Sequence, residues 1–317
     1  MDQIKHKHLD IRGLKLHVAE IGDGPVVVVF LHGFPEIWYS WRYQMIAVAK
    51  AGHRAIAPDW RGYGLSQQPP QIENASHLDL VDDLLAILDS LAIPRAFLVA
   101  KDFGVVPANV FTVLHPERVS GVTTLGIPLF PPVPSALQFD LLPRGFYVIR
   151  WQEPGRAEAD FGRFDTKTVV RNIYILFSGS ELQVAGDDQE IMDLVDPATP
   201  LPSWFTEEDL AAYSALYENS GFRYPLQITY RSFLKESIVE DPKIEVPAML
   251  IMGEKDYAKK ILGFGDSIRS GKVKEYAPDL EIVLVPEGTH FVQEQFPDEI
   301  NQLLLNFVDK HIPLISL

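Results

Sequence analysis

Residues Val26-Val27-Val28-Val29-Phe30-Leu31 form an unbroken apolar run, most of it β-branched. A strand with one wet face alternates apolar and polar residues, so a run without polar residues belongs in a sheet buried on both faces. Helices must then cover each face, which calls for crossover connections and mainly parallel strands. Two similar strands follow, Arg54-Ala55-Ile56-Ala57-Pro58 and Phe97-Leu98-Val99-Ala100. Helical patterns from Trp41 to Ala51 and from Leu78 to Leu91 separate them. Ahead of them, His8–Ile11 and Leu14–Val18 alternate around Gly13, as an antiparallel hairpin does.

The alternation stops after Leu125-Gly126-Ile127-Pro128. From there to about Pro242 the chain holds proline-rich turns and amphipathic helices, with no buried strand. One helix starts at Thr206, an N-cap followed by Glu207, Glu208 and Asp209 in the first turn. Its apolar face is Leu210, Tyr213 and either Leu216 or Tyr217. Strands resume at Val246–Met252 and Leu280–Val285, and a closing amphipathic helix runs through Ile300, Leu303, Leu304 and Phe307. The expectation is an α/β core over residues 1–128 and 243–317 that carries a helical domain, 129–242, inserted after its sixth strand.

Composition removes several functions. A formal charge of −15 argues against nucleic acid, which needs a basic face, and against an anionic membrane surface. The longest apolar run, Pro25 to Leu31, falls far short of a membrane span, so no stable membrane insertion is expected. The chain has no cysteine, which excludes disulfides, thiolate metal sites and a cysteine nucleophile. The residues Met1–His6 hold no apolar core of the signal-peptide kind, so a cytoplasmic protein is expected.

The strand Phe97–Ala100 runs into Lys101-Asp102-Phe103-Gly104 and then into a helix through Val110, Phe111 and Leu114. A nucleophile elbow is such a strained strand-to-helix turn, with small residues close to the nucleophile. Here Ala100 and Gly104 flank Lys101-Asp102-Phe103, and a helix N-terminus favours an ionised carboxylate. Taken alone, Asp102 is as good a helix cap as a nucleophile. Two other sites weigh against the cap. Asp256, in Gly253-Glu254-Lys255-Asp256, and His290, in Glu287-Gly288-Thr289-His290-Phe291, each lie just beyond a strand's carboxyl end. Open α/β sheets bind ligands there. Nucleophile, acid, histidine is also the chain order of the α/β-hydrolase fold. The loop His32-Gly33-Phe34-Pro35-Glu36 then supplies one oxyanion-hole N–H, from Phe34, and Phe103 supplies the other.

Taken together, these segments make the chain resemble the epoxide hydrolases, the soluble plant enzymes above all. They are His32–Arg42, Ala57-Pro58-Asp59-Trp60-Arg61-Gly62-Tyr63-Gly64, the aspartate elbow, Leu201–Phe205, Thr229-Tyr230-Arg231, Gly253–Asp256 and Gly288–Val292. The likeness runs from about residue 5 to the end. It implies an α/β-hydrolase fold: a mainly parallel, eight-stranded sheet flanked by helices, with an inserted helical lid. It further implies that two lid tyrosines, here Tyr147 and Tyr230, point at the nucleophile and act as acids on the epoxide oxygen. Asp102 would form an alkyl ester, and His290, oriented by Asp256, would activate the water that cleaves it. The product is a vicinal diol, and the chemistry needs no metal and no cofactor. The expected ligand is a small lipophilic epoxide, with His32, Pro35 and Trp151 among its contacts and Phe161 and Leu182 shaping the pocket. A monomer or homodimer is expected.

Two residues depart from the family pattern, in which His often precedes the nucleophile and Trp often follows it. Here they are Lys101 and Phe103. A solvent-facing or structural place is the expectation for Lys101, although an inward ammonium would lower the Asp102 pKa. Other readings remain. Dehalogenases also form an aspartyl ester, but haloalkane dehalogenases often hold the halide with side-chain N–H donors at the positions of Phe34 and Phe103, and phenylalanine has none. Fluoroacetate dehalogenases place arginines just after the nucleophile, where this chain has Phe103, Gly104, Val105 and Val106. An esterase would need a serine or cysteine at the elbow. A non-catalytic small-molecule receptor on this fold, and an enzyme in which a substrate hydroxyl opens the epoxide, stay open.

Overall fold

The computed structural model describes residues 3–131, 141–181, 183–232, 240, 242–261 and 263–312. Eight strands form one sheet: β1 (Lys5–Ile11), β2 (Leu14–Ile21), β3 (Val27–Leu31), β4 (Arg54–Pro58), β5 (Ala96–Lys101), β6 (Val119–Leu125), β7 (Ala248–Gly253) and β8 (Leu280–Val285). Their spatial order is β1-β2-β4-β3-β5-β6-β7-β8. β2 runs antiparallel to β1 and β4, and every other pairing is parallel. Every residue of β3, β5, β6 and β7 is buried, as strands in the middle of a sheet covered on both faces must be, the polar Lys101 of β5 and Ser120, Thr123 and Thr124 of β6 included.

Crossover helices α1 (Arg42–Lys50), α2 (His77–Ser90) and α3 (Val105–Leu114) connect the first parallel strands. A capping box at Ser76 and Asp79 opens α2. Between β6 and β7 lie α4 (Tyr147–Gln152), α5 (Arg156–Phe161), α6 (Thr166–Phe177), α7 (Glu207–Ser220) and α8 (Arg223–Leu226). The chain then continues through α9 (Phe264–Ser270), α10 (Val273–Tyr276), α11 (Val292–Gln295) and α12 (Pro297–His311). Thr206 caps α7 through a reciprocal bond pair with Asp209. Of the two alternatives on the α7 face, Tyr217 is fully buried and Leu216 only half-buried. Among the described residues, no helix is long and apolar enough to cross a membrane.

The inserted helices close over the carboxyl ends of β3, β5, β7 and β8. There Tyr147 packs on Tyr257, Tyr174 stacks on Phe291, and Tyr63 bonds Thr229. These contacts join the lid to the segments that follow β4, β7 and β8.

Candidate active site

β5 delivers Asp102 in the left-handed region, at φ +51°, before a single tight turn and α3. A non-glycine residue held there is strained and persists only where the surroundings force it. Those surroundings must be small. A Cβ on Gly104 would lie 2.4 Å from the His32 carbonyl oxygen, and one on Gly33 would lie 2.5 Å from the Asp102 Cβ. Both glycines therefore allow the His32–Pro35 loop to approach the carboxylate closely.

The two carboxylate oxygens have different partners. The Phe34 N–H donates to Oδ1 at 3.0 Å, while Oδ2 lies 3.3 Å from His290 Nε2. Burial alone would raise the Asp102 pKa. The close, positively charged His290, the Lys101 ammonium and the Phe103 N–H outweigh it and hold the carboxyl below its usual range. On its other side, His290 Nδ1 lies 3.1 Å from both oxygens of Asp256, and Asp256 Oδ1 accepts the Ala258 N–H at 2.9 Å. Burial and Lys101 push the His290 imidazole down. The Asp256 charge, the nearby Asp102 carboxylate and the bonds to Asp256 win, and the pKa is pushed up to about 9.

Tyr147 opens α4, and Tyr230 sits in a widened turn, Gln227–Arg231, of the π type that often marks functional sites. Their rings meet edge to face at 6.0 Å, and Tyr230 also packs on Phe103 at 5.3 Å and Phe34 at 5.6 Å. Burial, with the Asp102 charge adding to it, raises both phenols, so both keep their protons. An apolar cavity reaches Asp102 and His290, walled by Phe103, Val106, Ile127, Phe130, Tyr147, Val148, Tyr257, Ala258, Ile261 and Phe264.

The other residues expected to contact substrate are His32, Pro35 and Trp151. His32 is fully buried beneath the loop; its Nδ1 meets the Gly33 carbonyl at 2.9 Å and its Nε2 accepts the Trp60 N–H at 3.1 Å. Both nitrogens are thus committed to backbone, and neither His32 nor the buried Pro35 is among the residues that wall the cavity. Trp151 packs behind the tyrosines, 5.0 Å from Tyr147 and 5.2 Å from Tyr230, and Phe161 packs against Trp151 in turn. Leu182 lies outside the described residues.

Of the two places expected for Lys101, solvent-facing or structural, the solvent-facing one is excluded. Its side chain is fully buried, with the ammonium 5.3 Å from the centre of the Phe291 ring and no hydrogen-bond partner among the described residues. The reason is register: as the last residue of β5 its side chain lies beneath the Phe291 ring, while its neighbour Asp102 turns toward the cavity. Nearby Glu36 is also buried, with Oε1 bonded by Gln293 at 2.6 Å and Oε2 unpartnered among the described residues. Sequence reasoning missed Glu36 and Tyr257 as parts of the site. The available signal was adjacency, since Glu36 closes the oxyanion loop and Tyr257 directly follows Asp256.

A family model described as the α/β-hydrolase fold matches residues 26–293. Epoxide hydrolase 3 of Siraitia grosvenorii is 36% identical to this chain, with 98% of this chain and 100% of the relative covered. The crystal structure of a Vigna radiata epoxide hydrolase mutant superposes with a TM-score of 0.90 at 36% identity, over 98% of this chain and 100% of that one. A laboratory-evolved variant of a potato epoxide hydrolase gives 0.87 at 31% identity, over 97% and 99%.

Proposed function

The chain belongs to the epoxide hydrolases of the α/β-hydrolase fold, and we propose that it opens a lipophilic epoxide to a vicinal diol through a covalent ester on Asp102. The observation that carries the assignment of roles is the split of the Asp102 carboxylate: Oδ1 on the Phe34 N–H, Oδ2 beside His290. An oxygen held by an amide is suited to become the ester carbonyl and then the oxyanion. The other is free to attack.

In the first step Asp102 Oδ2 displaces the epoxide oxygen from a ring carbon. Tyr147 and Tyr230 hydrogen-bond that oxygen, and one of them protonates it. Positioned acids of this kind contribute on the order of 10²–10⁴-fold. Esterification then removes the Asp102 anion that kept His290 protonated. The imidazole loses its proton, which restores the phenol, and becomes a base. It takes a proton from water, and the hydroxide adds to the ester carbonyl. The N–H groups of Phe34 and Phe103 accept the charge, each worth roughly 10²-fold or more. Collapse releases the diol, and Asp102 and His290 recover their charges.

Residues 1–128 and 243–317 act as the core and 129–242 as the lid. Phe103, Val106, Ile127, Phe130 and Phe264 in the cavity wall favour an aryl or fatty epoxide. The net charge of −15 disfavours an anionic partner.

Single-turnover reactions with trans-stilbene oxide and an epoxy fatty acid test this reading, with mass spectrometry of the quenched protein. The expected result is an adduct on Asp102 that decays as diol appears and is absent in Asp102→Ala. In heavy-oxygen water the label enters Asp102 and not the first diol released. Label found directly in the first diol would mean that water opens the ring, and the covalent step would be abandoned.

A further inference from the structure

The two lid phenols are not equivalent. The Tyr230 hydroxyl makes no hydrogen bond to another described residue, and its ring is held by the edges and faces of Phe34, Phe103 and Trp151. The Tyr147 hydroxyl instead lies 3.0 Å from the hydroxyl of Tyr257, both side chains being buried. Tyr257 directly follows the triad acid. The carboxylate of Asp256 caps the turn by accepting the Ala258 N–H, so one short segment fixes both the base's partner and this third phenol. Its ring rests 5.3 Å from His290 and 5.6 Å from Phe177.

Resting on the assignment of Tyr147 as an acid, we propose that Tyr257 is a positioning residue that donates its hydroxyl hydrogen to the Tyr147 oxygen and so makes Tyr147 the principal proton donor to the opening epoxide. A phenol has one hydrogen. If Tyr147 donated to Tyr257, it would have none for the epoxide oxygen, which can only accept. With substrate present, the arrangement that satisfies all three oxygens is Tyr257 to Tyr147 to epoxide. A donor that also accepts a hydrogen bond is polarised by it. As the ring opens, the C–O bond breaks and Tyr147 passes its proton to the alkoxide. The phenolate left behind keeps the Tyr257 O–H, now a charge-assisted bond about twice as strong as before. His290 later returns the proton to Tyr147, so Tyr257 ends unchanged. Tyr230 has no such support and serves mainly to orient the oxygen.

Tyr257→Phe keeps the ring and removes the hydroxyl. In rapid-quench single turnovers, the alkylation constant should fall roughly tenfold, the loss of one hydrogen bond to a charged group. Hydrolysis of the alkyl-enzyme should stay within about twofold of wild type, because His290 and Asp256 keep their geometry. A merely structural role for Tyr257 would disturb that second step as well, since Asp256 is its neighbour. In a double-mutant cycle, Tyr257→Phe should cost almost nothing further in a Tyr147→Phe background and its full factor in a Tyr230→Phe background. Unchanged alkylation in Tyr257→Phe, equal losses in both backgrounds, or a matching fall in ester hydrolysis would each overturn the proposal. If wild-type enzyme forms no alkyl-enzyme, the assignment beneath the proposal falls with it. An adduct in wild type with normal alkylation in Tyr257→Phe sinks this inference alone.

Discussion

At the level of single residues, the site works by holding Asp102 and His290 as a buried ion pair. His290 is the more informative partner because its protonation links chemistry to stability. Its folded pKa, about 9, lies above the ordinary 6.5, so the stabilisation is complete below pH 6.5 and is lost as pH rises through about 9. Urea midpoints measured from pH 6 to pH 10 should therefore decline on the alkaline side. In Asp102→Asn the anion is gone, the imidazole pKa drops, and the decline should shrink and move to lower pH. An identical alkaline slope in both proteins would contradict the ion pair. Both members of the pair were legible in the sequence, because each sits within a few residues of a strand end. Lys101 was not legible, since a lysine beside a nucleophile carries no local mark of where its ammonium goes.

Among elements, a buried cation helps tie the lid to the core. Arg42, the first residue of α1, donates to Glu294 in α11 at 2.5 Å and to Asp209 in α7 at 2.9 Å. Tyr39 and Tyr213 complete the cluster, donating to Asp209 at 3.0 Å and Glu294 at 3.1 Å. Burial and hydrogen bonding make removal of the cation costly, because two buried carboxylates would lose their partner. Arg42→Met should destabilise the protein by about 3–5 kcal/mol. Adding Glu294→Gln should recover part of that, a coupling that thermal denaturation of the two variants and the double mutant would reveal. Strictly additive losses would mean that Arg42 acts through packing alone. The helices themselves were readable from their 3.6-residue periodicity and caps. The tie was not, because 252 residues separate Arg42 from Glu294.

Across the whole molecule, one hydrophobic cluster runs without a break from the sheet into the lid. It joins Phe30, Phe34 and Leu98 to Trp151, Tyr174, Tyr213 and Tyr230. An inserted unit that shares its core with its host should not melt separately. Scanning calorimetry should show one transition whose calorimetric and van't Hoff enthalpies agree. Two resolved transitions would show that the lid has an independent core. A shared core also explains the burial of Asp102, where electrostatic effects act at low dielectric.

What the sequence determined by itself is the set of features encoded within a few neighbouring residues. These are the buried strands, the helix starts, the small residues around Asp102, and the placing of Asp102, Asp256 and His290 after strands. Side-chain alternation and tight-turn sterics act over such short stretches, so local pattern suffices. Only the tertiary structure decided that Lys101 is buried, that both His32 nitrogens are spent on backbone, and that Tyr147 meets Tyr257 across 110 residues of chain. Those outcomes depend on which distant surfaces pack together and which hydrogen bonds burial then obliges them to share, and no local spacing carries that information.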